Sequence, residues 1–212
     1  GLFANLATNP VEYKIKNLGV VNFNIDVNYT NVKKNLDLYA SAIVGGMNAG
    51  TDIVNCYSKG GKISITVKGN EAYKGFDDFG NRPYDAPRIN IHVGGICSDG
   101  GGVFGGQNSP RKALMLMHIE KCFNDSHITV DVQNGKYNIY AGGIIGSMDT
   151  SHIHECYNSG NITLPMGLDN ITGSWHESVA AGICAYAAIP EIPGIYHTPP
   201  EKSSFIQNCY NT

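Results

Sequence analysis

Short runs in which apolar and polar residues alternate recur along this chain. Phe23-Asn24-Ile25-Asp26-Val27, Ile63-Ser64-Ile65-Thr66-Val67, Ile128-Thr129-Val130-Asp131-Val132 and Ile162-Thr163-Leu164-Pro165-Met166 have the period-two pattern of a strand with one buried face. Before each run stands a second pattern, Ile-x-x-Cys-aromatic, in Ile53 to Tyr57, Ile119 to Phe123 and Ile153 to Tyr157, with a further copy at Ile206 to Tyr210. A degenerate early copy, Ile15-Lys16-Asn17-Leu18, keeps the apolar spacing and has leucine where the others have cysteine. The cysteine position therefore calls for a buried apolar group, which free cysteine supplies. A third pattern puts small residues before an apolar pair: Ala42-Ile43-Val44-Gly45, Gly94-Gly95-Ile96-Cys97, Gly142-Gly143-Ile144-Ile145-Gly146 and Ala181-Gly182-Ile183-Cys184. Gly1-Leu2-Phe3 reads as the tail of one more copy.

The order of the three patterns never changes, but successive cysteines of the second pattern are 66, 34 and 53 residues apart. Insertions thus fall between elements, as they do when constant strands stack along an axis and variable loops leave the stack. The fold class expected is all-β, a right-handed parallel β-solenoid with loop insertions. The cysteines Cys56, Cys122, Cys156 and Cys209 should form one interior column, and Ile25, Ile65, Val130 and Leu164 another. Small residues before the apolar pair permit tight corners or close backbone approach. The alternative is a β-sandwich of short strands. Residues 1–212 read as a single segment of about five repeats, taken from a longer array because it begins and ends within a repeat.

Composition agrees with strands and turns: 26 glycines and 12 tyrosines, with no long run of strong helix formers. Charged residues are 16% of the chain, the formal net charge is -3, and no Lys/Arg run exists, so nothing invites nucleic acid or an anionic membrane. No apolar run is long enough to cross a bilayer, and no membrane insertion is expected of this segment.

The segments Ala141-Gly142-Gly143-Ile144-Ile145-Gly146 and Glu155-Cys156-Tyr157-Asn158-Ser159-Gly160-Asn161-Ile162-Thr163 resemble the GLUG repeat, in which a small-Gly-Gly-Leu-Val-Gly stretch precedes Asn-Cys-Tyr-Asn-x-Gly-x-Val. The first copy departs from it by lacking the Cys-Tyr pair. GLUG-motif proteins are bacterial cell-surface or secreted proteins, adhesin-like proteins and immunoglobulin-A metalloproteases among them. The resemblance implies an extracellular or cell-surface location and a non-catalytic structural or adhesive module that spaces or displays neighbouring domains of the same polypeptide. It leaves two alternatives: an accessory substrate-positioning region of a secreted immunoglobulin-A-type metalloprotease, or a polysaccharide-active β-helix enzyme.

Loops carry recognition when a scaffold is rigid. The insertions span residues 68–89, 99–117 and 185–204, and in the first of them Tyr73, Phe76, Phe79 and Tyr84 form a candidate contact loop for a host protein or glycan. No catalytic, metal or cofactor residue is assigned. His152 and His154 would share one face of a strand, but His-Glu-x-x-His is absent and zinc needs three or four convergent ligands. Cys122 has His118 and His127 near it in sequence, yet occupies the position that Leu18 also fills. Asp26 and Asp131 would sit two rungs apart on one outer column, about 9.6 Å from each other, a spacing known from inverting glycosidases. The Gly100-Gly101-Gly102 run lacks the Lys-Ser/Thr of a phosphate loop. All six cysteines are expected as free thiols.

Overall fold

In a computed structural model, the structure describes residues 1–3, 13–47, 51–70, 75–76, 83–84, 88–100, 117–134, 136–149, 151–164, 177–188 and 205–212. The chain is all-β over these residues, and none of their segments is a helix long and apolar enough to cross a membrane.

Five parallel sheets account for nearly all the strands. The chain passes through them in one repeating order. Taking the shortest complete pass, it runs through Met117–Glu120, Phe123–Asn124, His127–Gln133, Lys136–Gly142 and Ile145–Asp149, then enters the first sheet again at Ser151–His154. Within these five sheets each strand pairs with its counterparts in adjacent passes, never with its sequence neighbour. The one antiparallel pair among the described residues joins Gly75–Phe76 to Pro83–Tyr84. Parallel pairing throughout the main sheets argues against the alternative sandwich, whose facing sheets are antiparallel.

The registers bear out the repeat. Ile15, Ile53, Ile119, Ile153 and Ile206 are aligned, so the degenerate first copy is a true one. Gly1-Leu2-Phe3 also belongs to the stack, through a Phe3–Val44 bridge and amide bonds from Leu2 and Phe3 to Ala42 and Ile43. Two buried clusters fill the interior. One gathers Ile43, Ile53, Ile96, Ile119, Ile144 and Ile153 with the cysteines, and the other Ile63, Ile65, Ile91, Ile128, Val130 and Ile139. At about 1.5–3 kcal/mol for each fully buried aliphatic side chain, these columns dominate the stabilisation.

The cysteine column is present. Cys56, Cys122 and Cys156 are 1% exposed or less, and all six cysteines are free. Each Sγ of the column donates to the carbonyl of the isoleucine one pass back: Cys56 to Ile15, Cys122 to Ile53, Cys156 to Ile119 and Cys209 to Ile153, at 3.5–3.8 Å. Thiols suit this position because they pack like a small hydrophobe and still offer a weak donor.

The expected Ile25–Ile65–Val130–Leu164 column is off by one alternation at its first member. Ile25 aligns with Ile63, Ile128 and Ile162, while Val27 aligns with Ile65 and Val130. A period-two pattern reads equally well when shifted by two, and Phe23, which precedes the strand Asn24–Val32, extends the alternation by one apolar position. The two aspartates therefore share no column: Asp26 aligns with Ser64 and Thr129, and Asp131 with Thr66 and Asn28. The glycosidase-like pair is dissolved by this register.

A column of amides was not foreseen. Two residues past the cysteine, Ser58, Asn124, Asn158 and Asn211 are aligned, and Asn124 and Asn158 are fully buried. Asn124 Nδ2 donates to Asn158 Oδ1 and Asn158 Nδ2 to Asn211 Oδ1, both at 2.7 Å, while Ser58 donates to Asn124 Oδ1 at 2.5 Å. Each buried amide also turns the following corner, for the amides of Ser126 and Gly160 donate to Asn124 and Asn158 at 3.0 and 3.3 Å. The glycine pairs now have their reason. A Cβ at Gly95, Gly143 or Gly182 would come within 2.3 Å of Asn124, Asn158 or Asn211. Where the pass carries the smaller Ser58, the register-equivalent position is Ala42.

The residue before each member of the cysteine column, and before Leu18 in the first copy, makes a left-handed corner. Asn17, Asn55, Lys121, Glu155 and Asn208 have φ between 52° and 57°. Asparagine tolerates this region better than other residues with a Cβ, which explains three of the five.

Candidate functional site

Strands Leu36–Ser41, Arg88–Gly94, Lys136–Gly142 and Glu177–Ala181 form one sheet, and Cys97–Gly100, Ile145–Asp149 and Cys184–Ala188 form the next. In the first, alternation sends Leu38, Ile91 and Ile139 inward and leaves two outward columns. One column is Asp37, Asn90, Asn138 and Glu177; the other is Tyr39, His92, Tyr140 and Val179. The second sheet contributes Asp99, Ser147 and Tyr186, aligned with one another.

These two outer faces turn toward each other. A Cβ on Gly146 would lie 2.6 Å from the Ser98 carbonyl oxygen and 2.8 Å from the Tyr140 oxygen and the Val93 nitrogen, so the backbones of the two sheets touch there. Side chains cross the junction: His92 Nδ1 lies 2.7 Å from Ser147 Oγ, and the Tyr140 and Tyr186 rings are 4.9 Å apart. The result is a re-entrant corner lined by rings and polar groups.

Its rings run along the stack. Tyr39 and His92 are stacked at 5.0 Å, and His92 and Tyr140 are tilted at 5.3 Å. Beside them the polar column is tied by hydrogen bonds, Asn90 to Asp37 at 2.6 Å and Asn138 to Asn90 at 3.0 Å, and the Tyr140 hydroxyl donates to Glu177 at 2.8 Å. Burial, then Glu177, pushes the Tyr140 phenol up to about 12. Burial and the charges of Asp99 and Asp37 likewise raise Tyr39. Both remain neutral donors at physiological pH.

Asp99, Ser147 and His92 have the residue types of a hydrolytic triad in a different order. Ser147 Oγ donates to Asp99 Oδ1 at 2.5 Å, while His92 Nδ1 stands 4.0 Å from that carboxylate. An ionised carboxylate only accepts, so the serine proton points at Asp99 and the serine lone pair faces histidine. His92 must then donate through Nδ1–H, and cannot take the serine proton as a general base would. Burial lowers the basicity of His92 against the opposing pull of Asp99 and Asp37, which favours the neutral ring. The trio is thus a positioning device. It fixes the tautomer of His92 and leaves Nε2 as an acceptor, to which no described residue bonds.

Other candidates from the sequence fare differently. Tyr73 and Phe79 lie outside the described residues; Phe76 and Tyr84 fall on the short antiparallel pair within the first insertion. The insertions are also narrower than expected, since Lys62–Gly69, Arg88–Gly94, Cys97–Gly100 and Cys184–Ala188 carry strand into their ends. His152 and His154 flank the fully buried Ile153 on the outer face, as expected from alternation. His152 lies between His118 and Phe205, at 5.1 and 3.8 Å between ring centres. His154 joins Glu120 and Glu155 in a cluster whose ligand atoms lie within 4.8 Å of one another. The Lys121 ammonium already sits 2.7 Å from Glu120 and 3.7 Å from Glu155, supplying the positive charge there.

Cys122 is bonded to main-chain carbonyls of Ile53 and Glu120. The thiols of Cys156 and Cys56 on either side, together with burial, push it well above the ordinary thiol range, the opposite of what a nucleophile needs. His127 Nδ1 instead accepts from the Asn161 amide.

The aromatic corner escaped the sequence reading although its signal was present. Leu36-Asp37-Leu38-Tyr39-Ala40, Ile89-Asn90-Ile91-His92-Val93 and Tyr137-Asn138-Ile139-Tyr140-Ala141 repeat the same alternation directly before the small-residue pattern.

No family model matches this chain, and no curated protein or solved structure is significantly similar to it.

Proposed function

We propose that the chain winds into a closed right-handed β-solenoid and serves as a non-catalytic structural module of a bacterial cell-surface or secreted protein, spacing or displaying neighbouring domains. The observation that carries this reading is the unbroken set of interior columns, in which isoleucine, cysteine and asparagine lie on their own kind through successive passes. Such columns need each pass to sit squarely on the last, and a stack held by bonds along its length is a stiff rod. Right-handedness follows from the strong preference of parallel crossover connections. The GLUG-like motif supports an extracellular setting, and the roles of its parts are now physical: the glycine makes room for the asparagine that follows Cys-Tyr. A structural role is further supported by the Asp99–Ser147–His92 order, which ties up rather than activates the serine.

Two measurements test the proposal. Small-angle scattering from the full chain should give the paired-distance profile of an elongated rod, and a spherical profile refutes the solenoid. An antibody raised against the chain should label intact cells that produce it; labelling confined to permeabilised cells refutes the surface role while leaving the fold standing.

A further inference from the structure

We infer that the re-entrant corner between the two adjacent sheets is a binding site for a linear, uncharged polysaccharide lying along the stack. This goes beyond a spacing role and places recognition on the strand faces rather than on the insertions.

Three observations set the ligand's chemistry. First, the surface is periodic. Polar groups recur at every pass in the Asp37–Asn90–Asn138–Glu177 column, and rings recur every 4.9–5.3 Å through Tyr39, His92, Tyr140 and Tyr186. A ligand with a repeating unit of similar length can make the same contact at successive passes, as the pyranose units of an extended glycan do.

Second, the polar groups suit hydroxyls. Three carboxylates, two amides, an open histidine Nε2 and phenol hydroxyls offer many acceptors and some donors, held in place by bonds to one another. Rings beside such groups meet the C–H faces and O–H edges of a sugar. Asp37, Asp99 and Glu177 outnumber Arg88, whose charge reaches Tyr140, so the corner is net anionic, which disfavours phosphate chains and uronate polymers.

Third, an extended peptide gains little here. Main-chain groups of these strands are spent on the parallel ladders within each sheet, so the outer face offers no edge for strand addition. The second aromatic column, Tyr57, Phe123, Tyr157 and Tyr210, lacks this set of tethered acceptors; its one described side-chain hydrogen bond joins Tyr157 to Thr212.

Calorimetry with the full chain decides the matter. The probes are cellohexaose, laminarihexaose, chitohexaose and maltohexaose, with polygalacturonate and heptalysine as anionic and cationic controls. At least one neutral hexasaccharide should bind with a Kd below a millimolar. Tyr39 and Tyr186 are 47% and 42% exposed, so their truncation spares the core. Tyr39→Ala together with Tyr186→Ala should weaken that binding at least tenfold with an unchanged melting curve, and Tyr57→Ala with Tyr210→Ala should leave it intact. Absence of binding by every neutral probe overturns the inference, as do undiminished binding in the first double variant, loss in the second, or selective binding of either charged control.

Discussion

Replacing Asn158 by alanine tests whether the buried amide column holds the passes together. The side chain is fully buried and takes part in four hydrogen bonds: it donates to Asn211 Oδ1 at 2.7 Å and to the Gly160 carbonyl at 3.1 Å, and accepts from Asn124 Nδ2 at 2.7 Å and from the Gly160 amide at 3.3 Å. Alanine removes all four. Asn124 keeps one contact for its Nδ2, to the Ser126 carbonyl at 3.3 Å, so its loss is partial. The Gly160 amide and the outward half of Asn124 Nδ2 are left buried without those partners, at about 1–3 kcal/mol each. A cavity of three heavy atoms adds to this, and the sum is about 3–5 kcal/mol. For a chain of this size that corresponds to a fall in Tm of roughly 6–20 °C. The assay is equilibrium urea unfolding and thermal melting followed by circular dichroism, with Asn55→Ala as the control. Asn55 makes a comparable 2.7 Å bond to Asn17 on the exposed surface, where water can replace it, so losing that bond and placing alanine at a φ of 53° should together cost about 1–2 kcal/mol, less than the loss at Asn158. Equal effects of the two substitutions would refute the reasoning, since they would mean that burial of the amide column contributes nothing.

Other expectations follow from the same geometry. Lys121 and Glu155 hold left-handed φ of 53° and 52° at corners where three asparagines serve elsewhere. Lys121→Asn and Glu155→Asn should each stabilise the protein by about 0.5–1 kcal/mol in urea titrations, because the exposed ion pairs given up contribute little. His92 has a basicity lowered by burial, so the unfolded chain binds its proton more readily than the folded one. Stability should therefore be complete above the ordinary value of 6.5 and decline as pH falls from there toward the lower folded value; His92→Gln should flatten this part of a melting-temperature profile. Titration with a thiol reagent should find six groups in denaturant, while Cys97, Cys122 and Cys156 react in native buffer only as fast as the chain opens. Fewer than six in denaturant would contradict the free state of the cysteines.

The sequence made the stacking order legible because its strongest signal, Ile-x-x-Cys-aromatic, couples a buried isoleucine, a left-handed corner and a buried thiol within five residues. Three such constraints in a row leave one register. The strands Asn24–Val32 and Lys62–Gly69 also follow left-handed corners, at Asn22 and Gly60, but these differ in residue type and carry no shared motif, so alternation alone allowed Ile25 to be matched with Ile65 instead of Ile63. Asn158 was visible in the motif, yet its burial was not, since an amide is ordinarily a surface residue and becomes an interior one only when copies above and below satisfy it. The aromatic corner depends on the angle between two sheets. That angle is set by backbone contact at Gly146, a distance that no spacing in a one-dimensional string records.

Because every strand of the main sheets finds its partners in the neighbouring passes, an added pass repeats the same pairing whatever the number of passes. The 34 residues from Cys122 to Cys156 lead once through the five parallel sheets without a long excursion. Duplication or deletion of such a unit would lengthen or shorten the stack of parallel strands by one strand spacing, about 4.8 Å, without asking any buried residue to change its company. A protein built this way can have its reach adjusted in small, uniform steps by recombination between its own repeats.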